Sequence, residues 1–315
     1  MAVVEVRNLS VVYYTPRGVA KALDNVSLSI EEQGEILGLV GESGSGKSTL
    51  GYAISGLLPG NAEIVSGEIL VNGVDMLRAG EDSKPRVSVI FQDALTSLNP
   101  VLTIGEQIAE IYLYVHGLSK SEAYDEAGRV LEEVGLPRSF LNRYPHELSG
   151  GQRQRAVIAM TLALRPALII ADEPTTALDV TVQAAILKLL YRVVKENRLT
   201  MLYITHDLSL VAHICDNVAV MYAGEIVEYS SVKSLFRDPK HPYTRALLKA
   251  IPRVDTDVEE LEPIEGSPPS LLEPPEGCRF HPRCPLAMEK CRILRPRLVS
   301  LVDGRSVRCL LYEEE

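Results

Sequence analysis

The chain has 315 residues, 46% of them hydrophobic, which is enough for one large core or two modest ones. Forty-two acidic side chains against 32 basic ones leave a net charge of −10, which excludes a general nucleic-acid-binding surface while leaving room for a local basic patch. The opening MAVVEVRNLSVVYY lacks the basic-then-apolar pattern of an export signal, and the most apolar run, Ala156 to Ala171, is broken by Arg165 and Pro166, so neither secretion nor a membrane span is expected.

Residues 3–40 alternate apolar and polar positions, which predicts antiparallel strands with one wet face. Gly34 to Val40 is instead a continuous apolar run, as for a buried strand, and it feeds GESGSGKST at Gly41 to Thr49. That run fits GxxxxGK[ST], a loop whose backbone N–H groups turn inward around phosphate oxygens. Gly41, Ser43, Gly44, Ser45, Gly46 and Thr49 form the cradle, Lys47 supplies a positive charge, and Ser48 is a magnesium ligand, with a helix expected from Ser48 onward. A second buried strand, RVSVIFQD, is predicted to end at Gln92. From Thr103 to Leu136 apolar residues recur three and four apart, predicting a helical region that Gly135 and Pro137 terminate. The next helix is expected to begin over Glu147 to Gln152; Ser149, Gly150, Gly151 and Gln152 of the run LSGGQ there offer N–H donors and a positive dipole end to an anion, or simply cap the helix.

The strand ALIIADEP delivers Asp172 and Glu173, and MLYITH delivers His206, so polar side chains gather at strand ends as the carboxyl edge of an α/β sheet requires. Asp172 is a magnesium-holding carboxylate and Glu173 the general base that orients the attacking water; the competing reading has both capping a turn before Pro174. Asp179 in TTALD is placed to N-cap the helix TVQAAILKLLYRV. A flat face for a nucleotide base would come from Tyr13, with Tyr14 close behind; strand neighbours face opposite sides, so only one can stack, and the competing reading makes both plain strand residues. Beyond Leu235, DPKHPYTRALLKAIPRV reads as a short amphipathic helix and EPIEGSPPSLLEPPEG as an extended proline-rich linker.

The two glycine-rich runs, about a hundred residues apart with the acidic pair and then the histidine beyond the second, resemble the ATP-binding-cassette (ABC) ATPases. VYYTPRG, FQDALTSLNP, YPHELSGGQRQR, EPTTALDVTVQ and HPYTRALL narrow the resemblance to the ATP-binding subunits of the oligopeptide/dipeptide importer branch, which includes nickel and oligosaccharide importers. One departure is Ala94, where that branch commonly has proline. The resemblance implies a phosphate-loop (RecA-like) α/β nucleotide-binding domain with an antiparallel β subdomain, a helical subdomain and a cysteine-containing extension. Its boundaries are expected at 1–100 and 166–235 for the ATPase core, 101–165 for the helical subdomain and 236–315 for the extension. It further implies that Gln92 meets Mg2+ and the water, that His206 senses the γ-phosphate, and that Ser149 to Gln152 and Asp179 face the ATP of a partner cassette. Implied partners are a second ATPase subunit, two transmembrane permease subunits and, through them, an external binding protein, at the cytoplasmic face of the membrane. A non-transport ABC ATPase is the rival reading.

The tail carries Cys278, Cys284, Cys291 and Cys309, while Cys215 lies apart and reads as a core residue. Four thiols within 32 residues suit a metal or cluster site. Structural zinc favours paired CxxC turns, which are absent, yet zinc stays open as an alternative, as does a set of buried small hydrophobes. The family tail that these spacings resemble implies a [4Fe–4S] cluster, which takes four thiolates. His281 reads as a turn residue beside Pro282.

Overall fold

The computed structural model describes residues 2–176, 178–250 and 264–313. The end of the expected amphipathic helix (Ile251 to Val254), the first two residues of the expected linker (Glu262 and Pro263) and Ala177 of TTALD lie outside the described residues. The chain divides into two compact units: Met1–Glu31, Ile36–Ala79 and Tyr203–Glu315 form one, Glu32–Glu35 and Gly80–Leu202 the other.

In the first unit β1 (Val4–Thr15) pairs antiparallel with β2 (Gly18–Ile30) on one side and β4 (Ala62–Val71) on the other, and β4 continues to β5 (Val74–Asp75). Val4, Val6, Leu9 and Val11 are buried, a pattern that breaks strict alternation between Val6 and Leu9. A register shift there, with Asn8 at φ 48°, re-phases the strand so that one face stays apolar. The buried strand expected before the glycine loop is β3 (Ile36–Val40), apolar apart from Gly38 and buried at every position. It runs parallel to β9 (Asn217–Tyr222), from Leu37 opposite Asn217 to Val40 opposite Val220. β9 pairs antiparallel with β10 (Glu225–Ser231), and the tail adds β12 (Ser306–Val307) and β11 (Val299–Ser300) beyond it. The helices of this unit are α1 (Lys47–Ser55), α7 (Leu208–Ile214), α8 (Val232–Arg237), α9 (Pro242–Lys249) and α10 (Glu289–Ile293).

In the second unit β6 (Val87–Ile90) runs parallel to β7 (Leu168–Asp172), from Val87 opposite Leu168 to Ile90 opposite Ala171. Around them stand α2 (Ala94–Ser97), α3 (Ile104–Tyr114), α4 (Lys120–Glu133), α5 (Gly150–Ala163) and α6 (Val180–Glu196). α3 and α4 each start at a capping box, Thr103 with Glu106 and Ser119 with Glu122, which satisfies two orphan amides at each end. Ile104, Ile108, Ala123, Ala127 and Leu131 are buried where α3, α4 and α5 meet, so Leu131→Ala would cost about 2–5 kcal/mol. The division between units falls within β8 (Thr200–Thr205).

Some boundaries differ from expectation. β6 stops at Ile90 and exposed Phe91 to Asp93 turn away, so Gln92 sits on a loop and not at a strand end. β8 stops at Thr205 and leaves exposed His206 just past it. Pro145–Glu147 is a 3-10 turn, and α5 begins only at Gly150 because the Ser149 side chain ends the extended backbone there.

Candidate nucleotide site and cysteine module

β3 ends at Val40 and α1 starts at Lys47, so the glycine loop is the whole connection between a buried strand and a helix. A Cβ on Gly41 would lie 2.1 Å from the Met221 carbonyl oxygen, and one on Gly46, at φ 108°, would lie 2.6 Å from the Ala22 carbonyl oxygen. Both contacts are with backbone that cannot yield, which is why only glycine fits. Lys47 Nζ donates to the carbonyls of Gly41 at 2.8 Å and Glu42 at 3.0 Å. Ser45 Oγ is buried without a hydrogen-bond partner, and no side chain caps α1. An orphaned hydroxyl and an uncapped helix start are what an anion site provides. Ser43 and Gly44 are exposed at the tip, and Ser48 is half-buried in the first turn. Tyr13 Oη lies 3.3 Å from Thr49 Oγ1, whereas Tyr14 is 53% exposed and donates to Glu63. The two tyrosines thus face opposite sides, and Tyr13 is the one beside the loop. His206 belongs to the same unit.

In the second unit Asp172 closes β7 and is 6% exposed. Glu173 follows in the left-handed region at φ 47°, a conformation that costs a non-glycine residue about 1–3 kcal/mol and marks functional turns. Thr176 Oγ1 donates to Glu173 Oε2 at 3.0 Å and orients the carboxylate. Sequence reasoning missed Thr176; its spacing three residues after Glu173 was the available signal. Asp179 caps α6, accepting from the Val182 N–H at 2.9 Å. Ser149 and Gln152 form a reciprocal capping box at α5: the Ser149 N–H donates to Gln152 Oε1 at 2.9 Å and the Gln152 N–H to Ser149 Oγ at 3.4 Å. A Cβ on Gly151 would stand 2.6 Å from Val182 Cγ1, so this glycine also serves the approach to α6. Gln92, Asp93, Gly150, Arg153 and Gln154 line one cavity of about 180 Å³, where the loop glutamine meets Gly150 of LSGGQ. Ser48 carries a hydroxyl oxygen in the first unit, and Asp172 and Gln92 carry carboxylate and amide oxygens in the second, each a donor type that magnesium takes.

Cys278, Cys284, Cys291 and Cys309 line a common small cavity of about 10 Å³ with Phe280 and Met288. All four are free thiols. Burial pushes the Cys278 thiol up to about 12 and raises Cys284 and Cys309 as well, so these groups stay protonated near neutrality unless a cation pulls the protons off. Among the described residues no group of three or more His, Cys, Asp or Glu side chains could hold a single metal ion. His281 Nδ1 lies 2.9 Å from the Cys278 carbonyl oxygen, the local turn role expected of it. Cys215 packs elsewhere, its Sγ 3.1 Å from where a Gly38 Cβ would stand.

Residues 23–176 match the family "ABC transporter", and residues 227–291 match "Oligopeptide/dipeptide transporter, C-terminal region". The oligopeptide transport ATP-binding protein OppD of Salmonella typhimurium is 46% identical over 99% of this chain and 94% of its own length. The chain belongs to the ATP-binding subunits of the oligopeptide/dipeptide ABC transporter family. Two further relatives are the oligopeptide transport ATP-binding protein AppD of Bacillus subtilis, 46% identical over 99% of this chain and 97% of its own, and the dipeptide transport ATP-binding protein DppD of Escherichia coli, 44% identical over 98% and 96%. Among solved structures, the dimeric ATP-binding cassette MJ0796 bound to ADP and Pi superposes with a TM-score of 0.63 at 30% identity, covering 73% of this chain and 98% of that one. The cassette cbiO1 of Clostridium perfringens gives a TM-score of 0.66 at 28% identity over 75% and 91%. As an ABC ATP-binding subunit the chain hydrolyses ATP with Mg2+ and works in a cassette pair with a transmembrane permease. Among the described residues no helix is long and apolar enough to cross a membrane.

Proposed function

We propose that this ATPase powers the uptake of di- and oligopeptides through an ABC importer. The observation that carries the reading is the joint presence, in one chain, of a phosphate loop that only glycine fits at positions 41 and 46 and the tail segment matched at 227–291. The core spans 1–100 and 166–235, the helical subdomain 101–165 and the extension 236–315. Gly41 to Thr49 hold the phosphates, Lys47 neutralises charge on them, and Tyr13 stacks on the base. Glu173, aimed by Thr176, takes the proton of the attacking water, while Gln92 and His206 report the loss of the γ-phosphate. Ser48, Asp172 and Gln92 would hold magnesium, and magnesium there would supply charge neutralisation for the transferring phosphoryl group. Ser149 to Gln152 and Asp179 cover the nucleotide of a second ATPase, identical or related, so that two ATP molecules close the pair and hydrolysis reopens it. Two permease subunits receive that motion, and an external binding protein delivers cargo at the far side; the ATPase sits at the cytoplasmic face.

The assembled transporter, reconstituted in vesicles with its binding protein, should take up a labelled tripeptide only with ATP, and Glu173→Gln should bind ATP yet lower hydrolysis by about 10²–10⁴-fold. Uptake of nickel or of an oligosaccharide in place of peptide would reassign the cargo within the same branch. ATP turnover with no permease co-purifying would favour a non-transport ATPase.

In the tail we infer a [4Fe–4S] cluster on Cys278, Cys284, Cys291 and Cys309, with zinc as the alternative. What supports the reading is that four free thiols line one small cavity, and four thiolates are the ligand number a cube takes. The four segments must move apart to admit it, because the cavity of about 10 Å³ holds no more than a water-sized group. Anaerobic purification should give about four iron and four sulfide per chain; zinc alone would replace the cluster, and no metal would leave a purely packed thiol core.

A further inference from the structure

Each tail cysteine has an arginine beside it: Arg279, Arg283, Arg292 and Arg308. Three of the four carry the module's contacts outward. Arg308 Nε donates to the Ile226 carbonyl at 3.0 Å, and Arg279 bonds the Ala223 carbonyl and the Asp24 carboxylate. Arg283 reaches the phosphate loop itself. Its two terminal nitrogens donate to the two carboxylate oxygens of Glu42 at 2.7 and 3.0 Å, a bidentate pair in which the arginine side chain is only 4% exposed. The same guanidinium donates through Nε to the Glu265 carbonyl at 2.9 Å, so its own position is fixed by the tail.

Glu42 is held a second time at its backbone. Its N–H donates to Tyr243 Oη at 2.9 Å, and Tyr243 is buried in a ring cluster with Tyr222 and Phe280 at centroid distances of 4.6 and 5.4 Å. The carbonyl of Glu42 in turn accepts from Lys47 Nζ at 3.0 Å. A continuous chain of contacts therefore runs from the Cys284 segment through Arg283 and Glu42 to the lysine that meets the phosphates.

We propose that Arg283 is a positioning residue for the phosphate loop, and that the cysteine module sets ATP affinity through it. The inference depends on ATP binding by Gly41 to Thr49 and not on what the thiols hold. Whatever shifts the segment between Cys278 and Cys284 moves the Glu42 carboxylate and, with it, the carbonyl that aligns Lys47.

The test is a binding titration of a fluorescent ATP analogue against the purified full chain, with KM and kcat from steady-state hydrolysis and metal content measured on the same samples. Arg283→Met should weaken ATP binding and raise KM on the order of tenfold, within the range typical of coupled sites, while kcat changes far less. Arg283→Lys should rescue only part, because a point charge cannot replace the fork, and Glu42→Gln should reproduce the loss from the loop side should Arg283→Met fold poorly. Cys284→Ser should weaken ATP binding in the wild-type background and add nothing in Arg283→Met. An unchanged KM in both Arg283→Met and Glu42→Gln, or fully additive effects of Cys284→Ser and Arg283→Met, would overturn the relay. Metal loss in Cys284→Ser with ATP affinity intact would also overturn it while leaving the metal site standing, and a wild-type chain that binds no ATP would remove the loop assignment and the relay together.

Discussion

The phosphate loop and the LSGGQ signature are both glycine-rich helix starts, yet they are built on opposite plans. At α1 the residue before the helix is Gly46 in the left-handed region, with no side chain returning to the backbone. At α5 Ser149 and Gln152 satisfy each other's amides in a closed capping box. The first end leaves its donors uncapped by any side chain and relies on surrounding backbone for shape; the second is self-sufficient and exposed, suited to docking from outside. A third start, at α9, is capped by a titratable group: the Tyr243 N–H donates to His241 Nδ1 at 3.0 Å.

The comparison breaks first where shape is imposed from outside. Gly41→Ala puts a methyl 2.1 Å from the Met221 oxygen, at a cost on the order of 3 kcal/mol to the formed loop, and ATP affinity measured by titration should fall by about a hundredfold. Next is the α9 cap. Burial holds His241 down to about 3, against 6.5 when exposed, so the unfolded chain binds the extra proton first. Its contribution is complete above pH 6.5 and is lost as pH falls from there toward 3, by at most about 1.4 kcal/mol per pH unit. Thermal melts between pH 7 and 4.5 should slope downward in the wild type, and His241→Asn, which keeps a capping oxygen, should flatten that slope. Tyr13→Ala should then raise KM for ATP by about 1–3 kcal/mol equivalent, with Tyr14→Ala, on the opposite face, giving a much smaller change. The smallest effect belongs to the self-contained start: Ser149→Ala should lower stability by about 1 kcal/mol and reduce turnover in the assembled pair, with ATP binding to the isolated chain retained. Loss of that binding would mean that the two glycine motifs are not separable after all.

Much of this was legible in advance because it is local. The loop, the buried strands before it and before Asp172, and the capped helices follow from spacings of a few residues, where steric and hydrogen-bonding rules act directly. The boundaries that slipped are also local in cause: Gln92 was placed at a strand end since RVSVIF is apolar and β-prone, but pairing with β7 ends at Ile90 and the chain turns. The role of Thr176 escaped because a threonine in TTALD has many possible partners, and only the left-handed backbone at Glu173 brings the two side chains together. The double hold on Glu42 could not be read at all, since it joins residues 201 and 241 positions apart.

What the amino-acid order by itself determined is chemistry of short range: a phosphate loop, an acidic pair after a buried strand, a capped signature helix and a tail with four thiols. Motif spacing, apolar runs and helix capping depend on neighbours along the chain, so they survive in any reading of it. Only the tertiary structure decided that the cysteine segment packs against β9 and β10 and grips the phosphate loop through Arg283 on Glu42, while Tyr243 of α9 holds the same glutamate. Contacts of that kind depend on which side chains the sheet brings to one edge, and a buried arginine finds its carboxylate only once the hydrophobic core has fixed where both can stand.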